Sequence, residues 1–85
     1  LYRGQFTTGP LRLEVEFFLP RSKARKHDDY VAVKPDIDNL LKSTMDALSN
    51  AGVWHDDAQV AAIVSTKRYE SANQSIGAVI RLEAL

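Results

Sequence analysis

Asp36 and Asp38 stand two residues apart directly after Lys34-Pro35, and Lys42 follows Asp38 by four. A further acid, Asp57, comes at the end of the run Gly52-Val-Trp-His-Asp-Asp. If Asp36 is extended at the mouth of a helix, its carboxylate and that of Asp38 can turn toward one point beside the positive helix N-terminus. Carboxylates gathered in one place repel, and some take up protons unless a cation shares the site. An all-oxygen donor set, in a chain with no cysteine, favours a hard ion such as Mg²⁺ or Mn²⁺ over Zn²⁺. Lys42 lies one helical turn past Asp38, so its ammonium would project beside the acids. Acids that hold a hard metal next to a lysine suit phosphodiester hydrolysis. The ion activates water, and the ammonium offsets charge growing on the phosphate.

Each residue also has an ordinary role. An aspartate at a helix start is often a cap. Lys42 with Asp38 makes a common surface pair, worth only about 0.3–0.5 kcal/mol. Asp46 extends the same helical face and reads as a solvated acid, while Asp56-Asp57 reads as a turn before a strand. Trp54 is expected to anchor the core, and His27 and His55 to be exposed polar residues without a second ligand at metal spacing. Two other uses of an Asp-x-Asp pair fail. A calcium loop starting at Asp36 would need an oxygen ligand, Gly and Glu where the chain has Leu40, Leu41 and Ala47. An aspartyl-phosphate enzyme would place the pair straight after a buried strand, and Lys34-Pro35 interrupts that run.

The elements that position these residues follow from periodicity. Leu11, Leu13, Val15, Phe17 and Leu19 alternate with Arg12, Glu14 and Glu16, which predicts a half-buried strand closed by Pro20. Arg21, Lys23, Arg25 and Lys26 crowd the polar stretch that follows, a mobile basic loop. After a short extended piece from Tyr30 to Pro35, a helix is predicted from about Asp38 to Asn50. Ile37, Leu41, Thr44, Met45 and Leu48 form its apolar stripe, and Gly52 ends it in a left-handed turn. Strands are predicted over Gln59 to Tyr69 and Ser75 to Leu82, joined through Glu70-Ser-Ala-Asn-Gln as an antiparallel pair. This order indicates an α+β domain, with one main helix packed on a mostly antiparallel sheet. Asp57 reaches Asp36 and Asp38 only if the chain doubles back across the domain, because the helix between them is about 20 Å long.

Eighty-five residues allow one domain with a small core. Eleven basic side chains balance eleven acidic ones, so any contact with nucleic acid must come from a local patch rather than bulk charge. The absence of cysteine excludes disulfides, thiolate zinc sites and a cysteine nucleophile. No apolar run approaches the ~20 residues that span a bilayer. With no basic-then-apolar leader at its start, the chain reads as cytoplasmic. It begins with Leu1 rather than Met, so residues 1–85 are expected to form one domain with N-terminal elements missing.

Lys34-Pro-Asp-Ile-Asp-Asn-Leu-Leu-Lys42, Asp46-Ala-Leu48 and Gly52-Val-Trp-His-Asp-Asp-Ala-Gln-Val60 together closely resemble the signature of RusA-type Holliday junction resolvases. These are endodeoxyribonucleases of bacteria and their prophages. The resemblance is specific over positions 34–60 and looser from about Gly9 to Leu85. It implies a homodimer that binds branched DNA, the four-way junction of recombination and repair, and nicks two opposed strands with Mg²⁺. By position, Asp36, Asp38 and Asp57 match the metal-binding catalytic acids and Lys42 the essential lysine, with Asp46 and Asp56 matching acids of less settled role. Arg21, Lys23, Arg25, Lys26 and Lys34 are then expected to contact the DNA backbone, with affinity falling steeply in salt. The competing readings are a branched-DNA-binding module that does not cut and, further off, a small phosphate-ester hydrolase.

Overall fold

The computed structural model of the chain describes residues 8–25 and 27–85, with the backbone alone at Arg25. Among these residues three strands and one α-helix are formed: β1 (Leu11–Leu19), α1 (Ile37–Asn50), β2 (Val60–Tyr69) and β3 (Gly77–Ala84). They make an α+β domain in which β1 is the middle strand, in the order β2-β1-β3. β1 pairs with β2 in parallel and with β3 in antiparallel fashion, so the sheet is mixed. The predicted hairpin between the last two strands is therefore not a paired hairpin. β3 runs opposite to β2, but the apolar strand β1 lies between them and hydrogen-bonds to both. Parallel strands need a long crossover, and α1 with its flanking loops supplies it between β1 and β2.

The alternation in β1 becomes an inside and an outside. Leu11, Leu13 and Val15 are fully buried and Phe17 nearly so. They form the core with Trp54, against Leu40, Leu41, Met45 and Leu48 of α1, and Val53, Val60 and Leu82. No residue of α1 is itself fully buried, so the helix lies across the sheet as a half-covered lid. The opposite face of β1 is charged: Arg12 lies 2.9 Å from Glu83 and 3.3 Å from Glu14. Phe18, on that same side, is buried as well.

The helix starts one residue earlier than its periodicity suggested, so Asp36 and not Asp38 is the N-cap. Its end is as expected. Gly52 takes φ +73°, its N–H donates to Ser49 O, and Val53 N–H donates to Leu48 O. This pair of bonds satisfies carbonyls of the last turn, and Val53 and Leu48 both pack against the core. Trp54 follows at once, 3% exposed, with its indole N–H donating to Ser49 Oγ at 2.8 Å. The core role expected for it is the one it has. No helix of the described residues is long and apolar enough to cross a membrane.

Leu13→Ala should cost about 2–5 kcal/mol, because it opens a cavity at the centre of the sheet. Gly52→Ala should cost about 1–2 kcal/mol through left-handed strain, since nothing crowds its missing Cβ. Urea unfolding of both variants checks the order.

Candidate active site

Asp36 sits in extended conformation (φ −71°, ψ 142°) at the head of α1, and its carboxylate makes no capping hydrogen bond. Asp38 lies in the first turn, where its Oδ1 accepts from Asn39 N–H at 2.9 Å. Both side chains are exposed. The ordinary role of an acid at this place, capping the helix, is thus left unused by Asp36. Two hard carboxylates without a basic partner among the described residues, at the positive end of a helix, are chemically suited to a hard divalent cation. Lys42 follows on the exposed surface, one turn away. The loop before Asp36 contains a cis Lys34–Pro35 bond and is held from beneath by Lys67 of β2. The Lys67 ammonium donates to Val33 O and Pro35 O, at 2.8 Å each.

Asp57 belongs to a different neighbourhood. It opens a 3-10 turn, Asp57–Gln59, capped by Asp56, whose Oδ1 accepts from Ala58 N–H at 2.8 Å. Gln59 completes the capping box: its Oε1 accepts from the N–H groups of His55 and Asp56. Asp57 lines an open polar cleft of about 420 Å³ with Asp46, Ser49, Asn50, His55 and Asp56. That cleft is at the C-terminal end of α1. From Asp38 to Asp46 alone the helix advances about 12 Å.

The expected convergence of three aspartates within one chain is therefore not seen. Among the described residues no group of three or more His, Cys, Asp or Glu could hold a metal ion. The reason is topological. A crossover helix between parallel strands runs antiparallel to them, so its head lies by the end of β2 and its tail by the start. The sequence could not reveal this, because it left the direction of β2 relative to β1 open.

The family model for endodeoxyribonuclease RusA matches residues 1–83, nearly the whole chain. The chain belongs to the RusA endodeoxyribonuclease family. It is similar to the crossover junction endodeoxyribonuclease rusA of Enterobacteria phage 82, 39% identical over 51 residues, which is 60% of this chain and 34% of that protein. The RusA protein of Escherichia coli strain K12 is matched to the same extent. The rusA protein of Lactococcus phage r1t is 28% identical over 65 residues, 76% of this chain and 50% of that protein. The chain thus spans about a third of the length of the first two relatives and half of the third. No significant match was found among solved structures.

The basic residues of this RusA-family chain fall into two groups. Arg21 is absorbed by the fold: its backbone N–H and side-chain Nε donate to Glu70, another guanidinium N–H donates to Asp28 O at 2.6 Å, and the group stacks 5.1 Å from the Tyr69 ring. Lys23 begins a short 3-10 turn, Lys23–Arg25, so part of the loop is regular. Lys23 and Lys34 are exposed. Lys26 lies outside the described residues. Arg68, not singled out by the sequence, grips both carboxylate oxygens of Asp29 at 2.9 Å. That hydrogen bonding, and then the charge of Asp29, raises the Arg68 pKa and so favours its charged form. Lys67 was also missed. A lysine near the end of a strand normally signals only a solvated position, and nothing in its neighbours marks the carbonyls it reaches.

Asp56→Ala should destabilise the domain by about 1 kcal/mol through loss of the cap, while Asp57→Ala should stay within about 0.5 kcal/mol of the parent. Denaturant titration of the two variants separates the structural acid from the free one.

Proposed function

We propose that this chain carries the catalytic residues of a divalent-metal-dependent, structure-selective endodeoxyribonuclease that resolves four-way DNA junctions as a homodimer. Membership of the RusA family and the names of the relatives support the reaction class. The observation that carries the site is the exposed Asp36–Asp38 pair at the head of α1, with the Asp36 carboxylate spared from capping and Lys42 one turn away. Asp36 and Asp38 would hold the cation, Mg²⁺ with Mn²⁺ as a substitute. When bound, such an ion supplies an activated water and neutralises phosphate charge. Lys42 would orient the scissile phosphate and offset its growing negative charge. Lys23, Lys34 and the basic loop would bind the flanking backbone.

Asp57 takes part, on this reading, from the second copy. Among the described strands β2 is an outer one, bridged beyond Thr66 only by the segment around Tyr30, with Ile63 and Val64 each 44% exposed on opposite faces. Two copies related by a two-fold axis beside β2 would run these strands antiparallel. The start of one β2, with Asp57, would then face the end of the other, where Lys67 holds the loop into Asp36. A junction has two equivalent strands to cut, and such a dimer has two equivalent sites. The separation of the acids within one chain also favours a second reading, a module that binds branched DNA without cutting it.

Asp38→Asn should abolish metal-dependent cleavage of a labelled four-way junction while retaining or improving binding, since it removes a ligand and a negative charge near phosphate. Normal cutting by this variant would remove Asp38 from the site. Mixing Asp38→Asn with Asp57→Asn protein tests the two-chain arrangement. In a mixed dimer one site carries both defects and the other neither, so single-strand nicking should return. If each site instead took all its acids from one chain, the mixture would stay inactive. Binding by the parent protein without any metal-dependent nicking would favour the second reading.

A further inference from the structure

We infer that Lys67 is a positioning residue for the metal-binding acids, fixing Asp36 through the loop that precedes it; this rests on the assignment of Asp36 as a ligand. Lys67 lies across from Phe17 on the sheet face that carries the core, near the end of β2. It holds the chain entering α1 by main chain and side chain together. Its carbonyl accepts from Val31 N–H at 3.0 Å, and its ammonium donates to Val33 O and Pro35 O. Two residues further on, Tyr69 N–H donates to Asp29 O. The segment from Asp29 to Pro35 is thereby laced to the end of β2, and the next residue is Asp36.

Arg12 and Arg68 pair with carboxylates, whereas among the described residues no ion pair joins Lys67 to a carboxylate and its ammonium is spent on two backbone carbonyls. Holding a lysine in one rotamer for two carbonyls costs side-chain entropy, which charge-assisted hydrogen bonds must offset. What this arrangement fixes is the direction from which the backbone enters Asp36. Asp36 has no capping bond of its own to set its carboxylate.

The test measures Mn²⁺ binding to DNA-free protein by electron paramagnetic resonance, junction binding in EDTA, and the Mn²⁺ dependence of cleavage. Lys67→Met, which keeps the apolar stem, should weaken Mn²⁺ binding about 10–100-fold, as loss of an outer support of a metal ligand typically does. Junction binding in EDTA should change less than about threefold, and Lys67→Arg should recover most of the Mn²⁺ affinity. Should Lys67→Met not fold, Lys67→Cys replaces it. The chain has no other cysteine, so aminoethylation of that thiol restores an ammonium at this one position and should restore Mn²⁺ binding. A folded Lys67→Met or unmodified Lys67→Cys with parental Mn²⁺ affinity overturns the inference and leaves the assignment of Asp36 intact. Loss of junction binding in EDTA with unchanged Mn²⁺ affinity also overturns it, making Lys67 a phosphate contact. If Asp36→Asn binds Mn²⁺ as the parent does, the ligand assignment fails, and the inference with it.

Discussion

The parallel ladder between β1 and β2 governs the molecule. It places Leu11 opposite Val60 and Leu19 opposite Tyr69, so the two strands start at one end of the domain and finish at the other. The chain leaving β1 must return the full length of the sheet before β2 can begin, and α1 is the return stroke. Every residue of interest inherits its place from that stroke. Acids before the helix lie by the strand ends, and acids after it by the strand starts. Had β2 instead followed β1 as an antiparallel neighbour, no crossover would separate Asp36 from Asp57.

The cations are divided between holding the fold and facing outward, and composition cannot show the division. Arg12, Arg21 and Arg68 are tied to Glu83, Glu70 and Asp29, and Lys67 to two carbonyls. Lys23, Lys34 and Lys42 remain exposed. Lys34 and Lys42 flank the Asp36–Asp38 pair along the chain. A neutral chain can in this way leave exposed lysines next to an acidic pair in sequence, because several of its other charges are spent in internal contacts. This is the arrangement that engagement of a polyanion requires when bulk charge gives no attraction.

Much of this was legible in the residues. β1 followed from strict alternation closed by Pro20, and its predicted bounds are those observed. The helix tail followed from Gly52, since a left-handed residue after an apolar stripe has few other uses. Trp54 was read correctly for the same kind of reason: a large indole next to a helix end fills space. What periodicity cannot supply is strand order. The Val- and Ile-rich runs of β2 and β3 look alike, and Glu70-Ser-Ala-Asn-Gln has the composition of a hairpin loop, so a direct pairing was the economical expectation. It failed because β1 is the strand with the most apolar inward face, and the most buried strand takes the middle. The site suffered accordingly. Its residue types and local pairings were visible, as was the family signature they form, but the distance from Asp57 to Asp36 depends on a pairing that no local pattern encodes. Asp56 shows the converse, an acid beside Asp57 whose carboxylate is consumed by Ala58 N–H and which therefore holds the turn rather than a ligand.

Dividing the acids between the two ends of a chain has a physical consequence for a nuclease of the proposed kind. Three carboxylates fixed together in a free monomer would repel one another and cost stability until a cation arrived. Kept apart, they leave each chain free of that penalty, and assembly of the proposed dimer would collect them only where a second copy and a cation were both present. An enzyme that must cut opposed strands in concert would gain from this, since on the proposed arrangement neither site would exist without the dimer that also carries its twin. The edge of β2 suits such a contact on chemical grounds. From Val60 to Thr66 it carries no charge that pairing would have to desolvate, while Ile63 and Val64 offer apolar surface on either face. The same strand then sets both distances: along its length it separates the acids of one chain, and across its edge it would join those of two.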